Sequence, residues 1–140
     1  MIIAVDFDGT IVEHEYPKIG NEIPFAIETL RELQQNPRHR LILWTMRAGK
    51  ELEEAIEFCR ERGVIFYAHN ENYPSEELDK ATSRKVLADL YIDDRNVGGL
   101  LDWGVVYQMI KNGKPHQPYT AAESNYPKKK KSFFEKLFGK

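Results

Sequence analysis

Four short, mostly apolar runs recur along the chain, and polar residues follow each of them at once. The runs span residues 2–5, 41–44, 64–68 and 88–92. Runs of this length, rich in β-branched and aromatic side chains, are typical of strands in a parallel sheet whose two faces are covered. We therefore predict four strands, each of which delivers polar residues to its carboxyl end.

Between the first three runs, apolar residues recur at helical spacing. Residues 24–36 carry one apolar stripe, and residues 50–62 carry another opposite a row of glutamates. Residues 103–110 predict a short helix, although their β-branched and aromatic content also allows a strand. The order is βαβαβ, then an irregular stretch and a further strand, which predicts a Rossmann-like α/β fold.

Carboxylates follow the first and the fourth predicted strands. Asp6 and Asp8 follow the first, on one side of an extended chain, and Asp93 and Asp94 follow the fourth. Ligands of open α/β sheets bind at the carboxyl edge. Adjacent aspartates repel each other unless a cation lies between them or they project apart. The four aspartates are therefore candidate metal ligands, with ordinary Asx turns as the alternative.

The second predicted strand leads into Thr45, Met46 and Arg47, beside a glycine-containing turn that opens a helix. A hydroxyl and backbone N–H groups at such a position can bind phosphate oxygens. We predict Thr45 as a phosphate ligand, the N–H groups of Met46 and Arg47 as further donors, and the Arg47 guanidinium as a substrate clamp. A helix-capping threonine and a solvated arginine are the alternatives.

The segment Asp6-Phe7-Asp8-Gly9-Thr10 resembles the first motif of the haloacid dehalogenase-like (HAD) phosphohydrolases, which is Asp-x-Asp-x-Thr after a buried strand. The resemblance implies that Asp6 is the nucleophile that takes a phosphoryl group. It implies that Asp8 is the general acid and base, and that Thr10 orients the loop.

Three further segments resemble the remaining HAD motifs. Thr45 corresponds to the hydroxyl residue of the second motif, and the pair Asp93-Asp94 corresponds to the fourth. That motif implies Asp94 as a direct metal ligand and Asp93 as a direct or water-mediated one. The third motif supplies a lysine between nucleophile and phosphate. The usual spacing, eight positions before the aspartate pair, selects Lys85, with Lys80 as the alternative.

The resemblance implies a Mg²⁺-dependent phosphatase. The ion would be held by Asp6, the main-chain carbonyl of Asp8, Asp93 and Asp94. The substrate would be a small-molecule or macromolecular phosphomonoester, hydrolysed through an aspartyl-phosphate intermediate. A HAD phosphotransferase is one alternative, and a noncatalytic metal-binding module brought to a surface by the tail is another.

The resemblance also bears on the domain organisation. It implies a HAD-like domain over residues 1–112, a three-layer sandwich around a central parallel sheet. No cap domain is expected, because only about seventeen residues separate the first strand from the first helix. The long polar connection 69–84 is our candidate for substrate contacts, with Asn70 and Asn72 as polar groups. A connection that only runs across the surface is the alternative. Residues 113–140 are expected to form a linker and a basic, aromatic tail.

Charge and composition limit the partners of the chain. Residues 127–140 hold six lysines and one glutamate, whereas the remainder holds 14 basic and 21 acidic side chains. An acidic body argues against nucleic-acid binding. The tail could contact an anionic membrane surface or a partner groove, with a frayed terminus as the alternative. Cys59 is expected to be a buried apolar residue. Because the chain has no signal-peptide or membrane-spanning pattern, we expect a cytoplasmic protein.

Overall fold

The computed structural model describes residues 1–117 of the chain. Within this range the chain forms four strands and three helices, in the order β1 Ile2–Val5, α1 Ala26–Gln35, β2 Arg40–Leu43, α2 Gly49–Glu61, β3 Ala68–His69, β4 Leu90–Ile92 and α3 Trp103–Lys111. The strands form one parallel sheet in the spatial order β3-β2-β1-β4. The α/β alternation predicted from the sequence is confirmed.

Strand β1 lies inside the sheet, between β2 and β4. Ile3, Ala4 and Val5 pair with residues of both neighbours and are fully buried. Successive apolar residues suit an inner strand because both of its faces are covered. The N–H of Asp6 donates to the carbonyl of Ile92 at 2.9 Å, which extends the pairing with β4 to the edge of the sheet.

The two faces of the sheet are covered differently. Ile3 and Val5 belong to the larger hydrophobic core, which also contains buried residues from all three helices. Ala4 belongs to a smaller cluster on the other face, where Val86 comes from the irregular connection between β3 and β4. Over residues 1–117, no helix covers this second face, so the helical third layer that the resemblance implies is missing. The reason is that residues 70–89 have no helical periodicity.

Strand β3 is much shorter than the strand predicted over residues 64–68, and that prediction is wrong in extent. Only Ala68–His69 pairs with β2. In the preceding segment Val64 and Phe66 are buried, whereas the intervening Ile65 is exposed. The segment is thus extended and covers the core with one face, but it joins the ladder only at its end.

The segment 103–110, for which a helix and a strand were both considered, forms helix α3. Asp102 caps this helix by accepting the N–H of Gly104 at 2.8 Å. The buried Trp103 donates its indole N–H to the carbonyl of Thr10 at 2.9 Å. Helix α3 therefore supports the loop that follows β1.

Within residues 1–117, none of the helices is long and apolar enough to cross a membrane. The tetralysine and the apolar stripe of the predicted tail lie outside the described residues. Cys59 is buried in α2, as expected.

Candidate active site

The carboxyl ends of β1 and β4 bring three aspartates together. Asp6 follows β1, and Asp93 and Asp94 follow the neighbouring strand β4. One carboxylate oxygen from each side chain lies within 4.8 Å of the other two. Residues distant in sequence meet because neighbouring parallel strands end at the same edge of the sheet.

Thr10 and Gly9 hold this cluster from the loop after β1. The Thr10 hydroxyl lies 3.3 Å from Asp6 Oδ2 and 3.2 Å from Asp94 Oδ1, and it accepts the N–H of Asp94 at 3.1 Å. With its single proton it donates to one carboxylate at a time. Gly9 has a φ of +83°, and a Cβ at this position would collide with the Asp94 carboxylate. The close approach of the two loops therefore requires glycine.

Asp6 has an unusual proton affinity for an aspartate. Burial is the main cause that raises its pKa from the ordinary 3.8 to about 7, and the charges of Asp93 and Asp94 act in the same direction. A hydrogen bond from the N–H of Phe7 opposes them. Three carboxylates this close together are mutually destabilising when ionised, and a cation among them would remove that cost.

The donor set fits a hard divalent cation. Mg²⁺ binds carboxylate oxygens at about 2.0–2.1 Å, so two oxygens on opposite sides of one ion lie about 4.2 Å apart. The oxygens of Asp6, Asp93 and Asp94 lie within 4.8 Å of one another, so small side-chain rotations suffice to surround an ion. The fourth expected ligand, the Asp8 main-chain carbonyl, stays a prediction.

The carboxylate of Asp8 is engaged by Arg47 in a buried ion pair. Arg47 Nε lies 2.7 Å from Asp8 Oδ2, and Nη2 lies 2.7 Å from Asp8 Oδ1. Arg47 is completely buried, and Asp8 is 5% exposed. The hydrogen bond to Asp8 raises the pKa of Arg47, so the guanidinium stays charged. The side chain expected to clamp substrate thus lies beneath the loop after β1.

The loop after β2 is held by Asn70. The Asn70 side chain accepts the N–H of Thr45 at 2.8 Å and donates to the carbonyl of Arg47 at 3.1 Å, while the N–H of Arg47 donates to Thr45 Oγ1 at 3.1 Å. Of the predicted phosphate donors, the Arg47 N–H is therefore occupied. The Thr45 hydroxyl proton and the N–H of Met46 have no acceptor within residues 1–117, which leaves both for a ligand.

A cavity of about 470 Å³ opens at this edge of the sheet, and most of its wall consists of residues that the sequence predicted. It is lined by Asp6, Asp8, His14, Trp44, Thr45, Met46, Asp93 and Arg95. His14, Trp44 and Arg95 are not among the site residues predicted from the sequence. Arg95 directly follows the aspartate pair, and its Nε lies 3.6 Å from Asp94 Oδ2, so its sequence position was a usable signal.

Neither candidate for the motif-three lysine lines this cavity. Lys85 Nζ lies 4.6 Å from the ring centroid of Tyr91, and Lys85 lines an adjacent cavity of about 240 Å³ together with Trp44 and Asp93. Lys80 is exposed. A lysine side chain is long and flexible, and the catalytic role of Lys85 stays a prediction.

The fold and this edge define an α/β protein with a parallel sheet and an acidic cluster at the strand ends. No protein-family profile and no curated protein sequence matches the chain. A solved structure, described as the conserved protein coded by a locus from Bacteroides thetaiotaomicron, is 65% identical, with a TM-score of 0.76. The alignment covers 81% of this chain and 92% of that one. The chain belongs to the same family as that conserved protein.

Proposed function

We propose that this protein is a Mg²⁺-dependent phosphohydrolase of the HAD type. It would transfer the phosphoryl group of a phosphomonoester to Asp6 and then to water. The observation that carries the proposal is the meeting of Asp6, Asp93 and Asp94 at one sheet edge. Asp6 and Asp93 line a cavity there that Thr45 also lines. Three neighbouring strands thus supply a nucleophile, cation ligands and a phosphate ligand to one cavity.

Each of these groups has a role in the first chemical step. Mg²⁺ held by Asp6, Asp93 and Asp94 would supply positive charge against the phosphate oxygens. The Thr45 hydroxyl and the Met46 N–H bind the remaining oxygens. A carboxylate oxygen of Asp6 then attacks phosphorus in line, a P–O bond forms to Asp6, and the bond to the leaving alkoxide breaks.

The proton balance involves Asp8. In the ion pair with Arg47 the Asp8 carboxylate is ionised, so the proposal requires Asp8 to take up a proton before the step. Asp8 then gives this proton to the leaving alkoxide, and its carboxylate takes a proton from the water that attacks the aspartyl-phosphate. Inorganic phosphate leaves and the Asp6 carboxylate is restored. Lys85 would have to rotate away from Tyr91 to bring its charge to the phosphoryl group.

A second cavity supports a small-molecule substrate. It measures about 430 Å³ and shares Trp44 and Thr45 with the first cavity. The rest of its lining consists of Asn70, Leu78, Asp79, Thr82 and Arg84. Cavities of a few hundred Å³ are typical of small-molecule sites. The connection 69–84 would therefore contact the leaving group. Asn72 has a different environment, because its side chain bonds Glu76 and the N–H of Leu87.

The connection between β1 and α1 supports the capless, Rossmann-like HAD type. Residues 6–25 contain turns and two isolated bridges, Asp8 with Val12 and Val12 with Glu22. A segment this short has no room for a folded insertion, so the cavity stays open to substrate.

A phosphatase assay tests the proposal. We would screen p-nitrophenyl phosphate, phosphorylated sugars, nucleotides and phosphopeptides in Mg²⁺ and in EDTA, with Asp6→Asn, Asp94→Asn and the matched control Glu32→Gln on the exposed face of α1. We expect Mg²⁺-dependent hydrolysis, lost by at least about 1,000-fold in Asp6→Asn and unchanged in Glu32→Gln. Hydrolysis that survives in Asp6→Asn would contradict the proposal.

Two observations favour a second candidate function, a noncatalytic metal-binding module. Lys85 lies over Tyr91, and both carboxylate oxygens of Asp8 are held by Arg47. Such a module would bind Mg²⁺ but hydrolyse nothing in the panel.

A phosphotransferase would use Asp6 in the same way but deliver the phosphoryl group to an acceptor hydroxyl, so less free phosphate than alcohol would be released.

A further inference from the structure

Arg47 is the largest charged side chain that the described fold buries completely. Beyond the two hydrogen bonds to Asp8, its guanidinium donates to the carbonyls of Pro17 at 3.2 Å, Lys18 at 2.8 Å and Glu51 at 3.4 Å. A guanidinium has five N–H donors. All five are used, so none is left for a substrate.

The surroundings of Arg47 require an arginine and not just a positive charge. The guanidinium lies against the rings of Phe7 and Tyr16, at 5.1 and 5.2 Å from their centroids. Its planar fork matches the two oxygens of Asp8. A lysine at this position would keep the charge but lose both the stacking and the paired hydrogen bonds.

Asp8 lines the candidate active-site cavity, and Arg47 does not. The pair therefore has one member in the cavity and one behind it. The main chain of Arg47 is itself fixed, by Thr45 on one side and Asn70 on the other. The position of the Asp8 carboxylate is thus determined by a group tied to the ends of β2 and β3.

We propose that Arg47 is a positioning residue that sets the location of the Asp8 carboxylate for proton transfer, and that it does not bind substrate. This inference rests on the proposed phosphohydrolase function, in which Asp8 moves protons to and from the reacting oxygens. Misplacement of a catalytic group by about 1 Å can cost about 100-fold in rate. The turnover number should therefore depend on the paired hydrogen bonds from Arg47 to Asp8.

Steady-state kinetics of Arg47→Lys test the inference, with p-nitrophenyl phosphate as substrate at saturating Mg²⁺. We expect kcat to fall by about 100-fold, while KM and the Mg²⁺ dissociation constant change by less than about twofold. The matched control is Arg62→Lys. Arg62 stacks on Phe58 and pairs with Glu22 at 3.3 Å, and it does not line the cavity. The control should keep full activity.

A double variant separates positioning from general damage to the fold. If Arg47 acts only through Asp8, kcat of Asp8→Asn with Arg47→Lys should equal that of Asp8→Asn alone. If the losses of kcat in the two single variants multiply in the double variant, the inference is overturned. A tenfold rise in KM of Arg47→Lys at unchanged kcat would also overturn it, because that is the signature of a substrate clamp. An inactive wild-type protein would overturn the proposed function itself. An active wild type with fully active Arg47→Lys would overturn this inference alone.

A measurement on the wild-type protein covers the case in which Arg47→Lys does not fold. The Nε–H of Arg47 should exchange slowly with solvent in NMR spectra, both without ligand and with Mg²⁺ and inorganic phosphate, because its partner is internal. Fast exchange that slows only when phosphate is added would identify Arg47 as a substrate ligand and overturn the inference.

Discussion

Replacing Asp6 by asparagine should stabilise the metal-free protein, although it removes the proposed nucleophile. The pKa of Asp6 is raised from 3.8 to about 7, mainly by burial. This shift corresponds to about 4 kcal/mol of unfavourable free energy for the ionised form. Because Asp6 is only partly buried, solvent screening reduces that figure, and we expect about 2 kcal/mol. Asparagine keeps an oxygen that can accept the Thr10 hydroxyl.

The sign of the pH dependence follows from the same shift. Between pH 3.8 and about 7 the folded protein binds a proton at Asp6 that the unfolded chain has lost, so stability falls as the pH rises. Above about pH 7 the full cost of the charge is present. The advantage of Asp6→Asn should therefore be small below pH 4, grow through this window and stay constant at higher pH.

Thermal unfolding in EDTA at several pH values measures this effect. At about 3 °C per kcal/mol for a domain of this size, Asp6→Asn should melt about 6 °C above wild type at pH 8. Mg²⁺ at about 100 times its dissociation constant should then stabilise wild type by about 2.7 kcal/mol and leave Asp6→Asn unchanged. The control Glu32→Gln should follow wild type throughout. If Asp6→Asn melts no higher than wild type in EDTA at pH 8, the reasoning about charge crowding is wrong.

Three further predictions concern the supports of the site. Gly9→Ala should weaken Mg²⁺ binding, because its Cβ would displace a ligand, whereas Gly113→Ala, at a φ of +70° with open space around it, should cost only about 1–2 kcal/mol of backbone strain; calorimetric titration with Mg²⁺ and thermal melts compare the two. Asn70→Ala should raise KM for p-nitrophenyl phosphate about tenfold, because it releases the loop that carries Thr45, and an unchanged KM would refute this role. Burial raises the pKa of Cys59 to about 12, so a thiol reagent should label it only in denaturant, and rapid labelling of the native protein would contradict its burial.

The sequence was sufficient for those features that depend on local patterns. The apolar run before Asp6 predicted a strand that is covered on both faces, and the aspartates after β1 and β4 meet because parallel neighbours end at one edge. Each of these inferences needed only the apolar run that marks a strand and the few residues that follow it.

The remaining features depend on contacts between distant segments. Arg47 and Asp8 are 39 positions apart, and nothing in the sequence around either residue indicates that the Arg47 guanidinium faces inward. Lys85 was selected by spacing, but the position of its side chain over Tyr91 depends on the path of the irregular connection. The missing helical layer has the same origin, because residues 70–89 carry no period that indicates where they pack.

One divalent cation is expected to join the carboxylates at the ends of β1 and β4. Anomalous diffraction from a crystal of the full chain soaked in Mn²⁺, an ion with the same preference for oxygen ligands, would locate such an ion. We predict a single strong anomalous peak at coordination distance from both Asp6 and Asp94. A crystal with no peak between these side chains at millimolar Mn²⁺, or with peaks only elsewhere, would show that the aspartates do not hold a cation.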